Sequence, residues 1–454
     1  MSALRSILCP RFCRALRVAM FVFAFLAPPA LAGVVTLYSR MHGADALDPA
    51  ARGDVPPPAP RPPATDKKLA VIVAGNRGTE ITDSLPLIEL LEESGAFEVR
   101  VVAPRRILSP FKSSGFDAAG VDFFPDLSFE DYERFVGRAP DLVVVPYLTA
   151  WQGEDAAVIA WIRAHVGRQT TLMSICAGAE VVAATGLFDG HRATAHYTQL
   201  DRLTEQYPAI HYEHDVRWVR DGNRISSGAL TAGLDATLAA IDTLAGREAA
   251  PRAAAATSYR HVRFLDDPAA PLSVRRAPMA LELAYRWERT RVAVVIDNGV
   301  SESAVAALLD AYAATLTTDS VAVTLGTGPI ATHHGVRLLA KSTTAELRGF
   351  DSVTFASLEH PGMSSYDAAL DSVARSHGRP MARLVGELIN YPTSHLELSG
   401  GVPVGVTMAL RALLLGIAGL GALQLYRRRR RPQNVTATSG TMRGTTVAWS
   451  SALR

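Results

Sequence analysis

Cysteine is scarce in this chain of 454 residues, which has only Cys9 and Cys13 near the N-terminus and Cys176 far from both. After residue 13, Cys176 therefore has no partner cysteine, which excludes a disulfide framework and a cysteine-based zinc site there. A lone cysteine in a large domain is either a small buried hydrophobe or a reactive thiol, and the residues around it must distinguish the two.

The chain also lacks an excess of charge of one sign. Its 46 Lys and Arg residues against 44 Asp and Glu residues give a net charge of +2, which excludes a broad basic field for nucleic acid. No glycine-rich phosphate loop is present, and His333–His334 has no third ligand at a matching spacing. A denser polar cluster, on a predicted strand edge, is also not assigned to a metal: His211, Glu213, His214 and Asp215. No cofactor or metal ion is predicted.

Two apolar stretches near the ends have little or no charge. Residues 18–38 follow several arginines, and residues 402–426, which include Arg411, precede the run of arginines at 427–431. Each is about as long as the ~20 residues that cross a bilayer, and basic flanks stay cytoplasmic. The sequence therefore predicts a bacterial-type inner-membrane protein whose main domain is extracytoplasmic. Ala30-Leu31-Ala32 also matches the small-residue pattern of a signal-peptide cleavage site. Residues 1–38 are therefore predicted to be either a signal or a membrane anchor.

The predicted domains follow from composition and apolar periodicity. Residues 39–68 form a Pro-rich linker, 402–426 a transmembrane helix and 427–454 a basic, disordered cytoplasmic tail. Between residues 69 and 265, apolar strands alternate with helices, which indicates an α/β fold with a parallel sheet covered by helices on both faces. An irregular stretch is predicted up to Pro125, and Asp221-Gly222 predicts a hairpin.

A truncated internal repeat is predicted at 290–392. Asp235, Leu238, Gly246 and Tyr259 recur 132 positions later, whereas Val71-Ile-Val recurs as Val294-Val-Ile after 223 positions. The second copy therefore lacks a block of about 91 residues, the block that carries Cys176 and His196.

The sequence around Cys176 predicts a nucleophile turn. A short apolar strand runs into Ile175-Cys176-Ala177-Gly178, whose small side chains permit an abrupt turn into a helix. A thiol at a helix N-terminus lies where unpaired N–H groups and the helix dipole favour its thiolate.

Four segments together resemble the DJ-1/PfpI family, which has the class I glutamine amidotransferase-like fold. They are Ile-Cys-Ala-Gly at 175–178, Gly-Leu-Phe-Asp-Gly-His-Arg-Ala-Thr-Ala-His-Tyr at 186–197, Asp-Gly-Asn at 221–223, and Ser-Gly-Ala-Leu-Thr-Ala-Gly-Leu-Asp at 227–235. The resemblance is greatest to the ligand-binding domain of AraC/GlxA-type regulators. It implies a parallel sheet between helices with Cys176 on the nucleophile turn, and it extends over 69–265 and partly over 290–392.

The resemblance also implies catalytic roles. Cys176 would be the nucleophile, Glu80 or Asp83 an acid partner from the loop after the first strand, His196 a base or orienting group, and the N–H of Ala177 an oxyanion donor. Two departures count against full enzyme competence. Ala177 replaces the histidine of protease-like members, and Val-Pro-Tyr-Leu at 145–148 replaces the usual Pro-Gly-Gly, so that Tyr147 crowds the approach.

Three functions stay open from the sequence. The chain is a membrane-anchored thiol enzyme acting on a small electrophile (isonitrile-like, carbonyl or glycated), a non-catalytic ligand or redox sensor, or a scaffold. The expected partners are a small molecule and the membrane. Nucleic acid is not expected, because no helix-turn-helix follows the domain. A homodimer and an internal pseudo-dimer formed by the second copy are both compatible with the sequence.

Overall fold

The computed structural model describes residues 2–43, 55–114, 118–149, 155–270, 276–356 and 362–429. Most of the predicted tail and the middle of the predicted linker lie outside this part. Contacts divide the chain into a terminal unit, Met1–Ala32 with Arg411–Arg454, and a central unit, Gly33–Leu410.

The helices in chain order are α1 (Ser2–Gly43), α2 (Leu85–Glu93), α3 (Phe129–Phe135), α4 (Asp155–His165), α5 (Gly178–Thr185), α6 (Leu200–Gln206), α7 (Ala232–Ala245), α8 (Ala249–Ala256), α9 (Arg276–Tyr285), α10 (Glu302–Ala313), α11 (Ser365–His377), α12 (Arg379–Leu388) and α13 (Val406–Arg429). The strands are β1 (Lys68–Val73), β2 (Thr79–Glu80), β3 (Phe97–Ala103), β4 (Ser109–Lys112), β5 (Ala118–Phe124), β6 (Leu127–Ser128), β7 (Leu142–Val145), β8 (Thr171–Ile175), β9 (Arg192–Ala193), β10 (His211–Tyr212), β11 (Trp218–Asp221), β12 (Arg224–Ser227), β13 (Thr290–Val295), β14 (Thr318–Thr324), β15 (Ile330–Ala331), β16 (Arg337–Ala340), β17 (Ser342–Thr343) and β18 (Ser352–Phe355).

The main sheet has the strand order β11-β12-β8-β7-β1-β3-β6 and is parallel except for β11, which pairs with β12 as the predicted hairpin. The position of β1 in the sheet explains why its sequence is almost wholly apolar. Ala70 and Ile72 join one hydrophobic core, whereas Leu69, Val71 and Val73 join the other. Because helices cover both faces, successive side chains are all buried. The predicted α/β fold with a parallel sheet is confirmed.

The stretch up to Pro125 is not irregular, so this prediction was wrong. It contains β4 and β5, which belong to a second sheet of order β15-β16-β5-β4-β2. Strand β5 pairs antiparallel with β16, with Leu338 opposite Phe123. Gly120 lies where the chain crosses β14 so closely that a Cβ atom would overlap the carbonyl of Ser320. The pairing partner is distant in sequence, and a local pattern carries no information about it.

Four strands between residues 290 and 356 form a smaller sheet of order β17-β14-β13-β18, in which every pairing is parallel. Helix α10 connects β13 to β14, and α11 and α12 follow the sheet. The region thus has the order strand, helix, strand and later helices.

In the part of the chain that the structure describes, two helical segments are long and apolar enough, by length and composition, to cross a membrane. They are Ala15–Thr36, with a mean hydropathy of 2.2, and Val406–Arg429, with 1.9.

Candidate functional site

Cys176 lies at the turn between β8 and α5 with a left-handed backbone, φ 56°. L-residues adopt this conformation rarely, so neighbouring bonds must hold it. The N–H of Cys176 donates to the carbonyl of Ser227 at 3.2 Å, and its own carbonyl accepts from the N–H of His196 at 3.3 Å. Position 178 requires glycine because the backbone there lies very close to the end of β7. A Cβ atom would overlap the carbonyls that end this strand. The predicted nucleophile turn is thus formed in the backbone.

The sulfur of Cys176 is surrounded by hydrogen-bonding groups. The backbone N–H groups of Leu230 and Ala177 lie beside it and favour its charged form, and the carboxyl of Asp83 is close enough to interact with it. The residue is only 6% exposed. Burial first, and then the negative charges of Asp83 and Glu80, raise the pKa of the Cys176 thiol well above its ordinary value. The expectation of a favoured thiolate is therefore wrong: burial and two carboxyls outweigh the helix N-terminus.

Glu80 and Asp83 form a buried carboxyl pair beneath the cysteine. The N–H of Asp83 donates to Oε2 of Glu80 at 2.5 Å, and the two side chains are also hydrogen-bonded. Burial raises the pKa of Asp83 to about 8 and that of Glu80 well above its ordinary value. Oδ1 of Asp83 and Oε1 of Glu80 have no donor among the described residues. Both observations indicate that this pair holds protons at neutral pH.

A third buried acid, Asp310 of α10, lies close to this pair. Its carboxylate accepts from Thr82 Oγ1 at 2.7 Å, and from the backbone N–H and hydroxyl of Ser114 at 2.7 and 2.6 Å. Its negative charge contributes to the raised pKa values of Glu80 and Asp83. Asp310 comes from the second α/β region, so no motif around the cysteine pointed to it.

His196 lines the same cavity as Cys176 but is not bonded to the sulfur within the described residues. Its Nδ1 is 2.7 Å from Oγ1 of Thr198. Burial lowers the pKa of His196 to about 4, so the ring is neutral at pH 7. The structure thus brings the expected histidine to the site without forming the expected thiol–imidazole pair.

The backbone that should complete an oxyanion hole is engaged elsewhere. The N–H of Tyr147 donates to Oδ2 of Asp83 at 3.1 Å, and the carbonyl of Tyr147 accepts from the N–H of Glu80 at 3.0 Å. The N–H of Ala177 lies beside the sulfur and favours its charged form. In place of a second oxyanion donor, the segment at 145–148 therefore holds the carboxyl pair in position.

A cavity of about 250 Å³ opens onto Cys176. Its polar lining includes Glu80, Tyr147 and His196, whereas Asp83 does not line it. Its apolar wall includes Met279, Leu316 and Leu388, which lie far along the chain. Sequence reasoning missed these three side chains and the N–H of Leu230. Of these groups, only the N–H of Leu230 could have been expected from the sequence, because Leu230 lies within the family-like segment at 227–235.

Comparison with known proteins agrees with this geometry. The model of the DJ-1/PfpI family matches residues 67–243. Isonitrile hydratase of Pseudomonas putida is 31% identical over 175 residues, which are 36% of this chain and 71% of that enzyme. The HTH-type transcriptional regulator CdhR of Pseudomonas aeruginosa is 35% identical over 97 residues, 21% of this chain and 29% of the regulator. The chain belongs to the DJ-1/PfpI family.

Part of the chain is also similar to solved structures. DJ-1beta of Drosophila melanogaster is 21% identical with a TM-score of 0.36, and the match covers 42% of this chain and 97% of that one. An AraC family transcriptional regulator of Pseudomonas putida is 15% identical with a TM-score of 0.34, over 42% of this chain and 98% of the other.

Proposed function

We propose that this protein is a membrane-anchored DJ-1/PfpI-family enzyme whose elbow thiol, Cys176, adds to a small electrophile and hydrates it. The observation that carries the proposal is a buried pair of acids at the elbow thiol: Asp83 lies close enough to the sulfur of Cys176 to shift its pKa, and Glu80 lines the cavity that opens onto Cys176. The related isonitrile hydratase acts on a compound of this class, which is a small molecule with an electrophilic carbon.

The carboxyl pair supplies both proton transfers that such an addition needs. Sulfur forms a bond to the electrophilic carbon while Glu80, which faces the cavity, gives its proton to the substrate. Asp83, which lies beside the sulfur, passes its own proton to the now ionised Glu80 and takes the thiol proton in its place, so both acids end protonated. Water then replaces sulfur at the carbon and restores the thiol, so the net reaction is hydration.

The test uses the full chain purified in detergent with a panel of small isonitriles and aldehydes. Wild type should release the hydrated product and show a covalent adduct on the Cys176 peptide by mass spectrometry. Cys176→Ser should abolish both, and Glu80→Gln should lower kcat at least 100-fold. Asp189→Asn, which changes an exposed carboxyl, serves as the control. Turnover that persists in Cys176→Ser would exclude the proposal.

A second candidate, a non-catalytic ligand sensor, is favoured by one observation. His196 is bonded to Thr198 and the N–H of Tyr147 is bonded to Asp83, so the base and oxyanion hole of hydrolytic members are not assembled. Saturable binding of a small apolar ligand, lost when Leu388→Trp fills the cavity and unaccompanied by turnover or adduct, would support this function instead. The raised thiol pKa argues against a peroxide sensor, which needs a thiolate.

Membrane anchoring is part of the proposal and is supported by Ala15–Thr36 and Val406–Arg429, each with arginines beside it. The basic flanks favour a central unit outside the cytoplasm. Resistance of the full chain to alkaline carbonate extraction, together with protease accessibility of the central unit only from the extracytoplasmic side, tests both statements. Release of the chain into the soluble fraction would contradict membrane anchoring.

We further propose that 290–392 is the degenerate second copy expected from the sequence. One hydrogen-bonded pair recurs in both regions. Tyr259 donates to Oδ1 of Asp235 at 2.8 Å, and Tyr391 donates to Oδ1 of Asp367 at 2.9 Å. The glycines that end α7 and α11 also share an unusual backbone, with φ 94° and ψ 158° at Gly246 and φ 88° and ψ 153° at Gly378.

The two regions contact each other reciprocally, which supports an internal pseudo-dimer. Thr82 donates to Asp310, while the N–H of Ser303 donates to Oε2 of Glu89 at 2.6 Å. Ser303 follows Thr82, and Asp310 follows Glu89, by the same 221 positions that separate the start of β14 from the start of β3. A residue i that contacts j′ while its equivalent i′ contacts j is the signature of a two-fold interface. The second copy then covers, within one chain, the surface that a homodimer would use.

A further inference from the structure

Two adjacent histidines meet a glutamate from the other α/β region. His333 and His334 lie in the turn between β15 and β16, and Glu93 is the last residue of α2. Oε1 of Glu93 is 3.4 Å from Nε2 of His334 and 3.8 Å from Nε2 of His333, and the three ligand atoms all lie within 4.8 Å of one another. The sequence offered no third ligand because Glu93 is distant along the chain.

These separations suit a tetrahedral ion. Zinc bonds of about 2.0 Å place neighbouring ligand atoms about 3.3 Å apart in a tetrahedron. The Glu93–His334 separation is already close to that value, and the Glu93–His333 separation needs a shift of about half an ångström. Because His333 is half exposed, water can reach the remaining coordination position.

A buried carboxylate orients His334 for this role. Nδ1 of His334 is 3.0 Å from Oε2 of Glu302, and Oε1 of Glu302 accepts from the backbone N–H of His334 at 2.8 Å and from Thr332 Oγ1 at 2.5 Å. A proton held on Nδ1 by Glu302 leaves the lone pair on Nε2, the atom that faces Glu93. A carboxylate behind a ligating histidine is the usual arrangement around protein-bound zinc.

The surrounding charges are compatible with a divalent cation. Arg61 donates to the carbonyl of His334 at 2.7 Å, but its guanidinium is also ion-paired with Asp126 at 2.8 Å. Glu93 and Glu302 lie on the two sides of the His334 ring. Without metal these two carboxylates suit an imidazolium, and a bound ion replaces the proton on Nε2.

We propose that Glu93, His333 and His334 bind one Zn²⁺ ion, with water as the fourth ligand. The ion joins the C-terminal end of α2 to the β15–β16 turn, and so braces the contact between the two α/β regions. Glu302 is the positioning residue. This site is separate from the cysteine cavity and does not depend on the function proposed for it.

The test is metal titration of the full chain in detergent after treatment with EDTA. Zn²⁺ competed against a chromogenic chelator should bind with one equivalent per chain and raise the Tm. His333→Ala and Glu93→Gln should each weaken binding at least tenfold and remove the Tm shift, and Glu302→Gln should weaken it about 10- to 100-fold. His211→Ala, which removes an exposed histidine elsewhere, is the matched control and should bind like wild type.

Cobalt identifies the ligands. Co²⁺ should give visible d–d bands without thiolate charge-transfer absorption, in wild type and in Cys176→Ser alike. No saturable binding, binding of equal strength in His333→Ala, or a thiolate spectrum would each overturn the proposal.

Discussion

The hydroxyl of Thr82 donates a hydrogen bond of 2.7 Å to the carboxylate of Asp310, although the two residues are 228 positions apart. This bond ties the loop that carries Glu80 and Asp83 to a helix of the second α/β region. The protonation of the cysteine site therefore depends on a part of the chain that contains no elbow of its own.

Removing the charge of Asp310 should lower the pKa values of Glu80 and Asp83, because that charge contributes to raising them. In Asp310→Asn, a reaction that needs the protonated acids should lose its rate at lower pH than in wild type. The pH profile of kcat measures the shift. Asp319→Asn, an exposed acid of the same region, is the control. An unchanged profile would contradict the coupling.

The thiol of Cys176 should alkylate slowly at neutral pH, because burial and two carboxyls raise its pKa. Asp83→Asn should lower that pKa by removing a negative charge, whereas His196→Ala should leave it unchanged. The rate of iodoacetamide labelling of the Cys176 peptide, followed by mass spectrometry from pH 6 to about 10, measures all three. Full reactivity below pH 7 would show that the thiolate is favoured after all.

Asp83 should make the fold less stable as the pH rises. Its folded-state pKa of about 8 lies above the value of 3.8 of an ordinary aspartate, so the folded state keeps a proton that the unfolded chain releases. The stabilisation is complete below about pH 4 and is lost as the pH rises through 8. The Tm of Asp83→Asn minus that of wild type should therefore increase across this window. For Asp189→Asn, which changes an exposed carboxyl, the difference in Tm from wild type should not vary with pH.

Breaking the buried ion pair of Arg217 and Asp235 should be strongly destabilising. Both side chains are almost inaccessible, and Arg217 also donates to the carbonyl of Asn390 at 2.8 Å. Asp235→Ala leaves a buried guanidinium without its carboxylate, which typically costs about 3–5 kcal/mol. Denaturation by urea measures the loss. Asp371→Ala, which breaks an exposed pair with Arg375, should change stability little.

Much of the fold was predictable because its signals are local. The apolar runs of β1, β3, β7 and β8 and the small residues after Cys176 specify strands and a turn whatever surrounds them. Strands β4 and β5 escaped prediction because they are completed by β16, about two hundred residues away. Glu93, the third residue of the proposed zinc site, escaped for the same reason.

Sequence alone determined the alternation of strands and helices, the elbow that carries Cys176 and the two apolar ends, since periodicity and turn residues act over a few positions. Tertiary structure decided the chemistry of the site. It placed Asp83 against the sulfur, turned the ring of His196 toward Thr198 and brought Asp310 beside the acid loop. The physical reason is that pKa values follow burial and nearby charge, and both depend on neighbours that the chain supplies from far away.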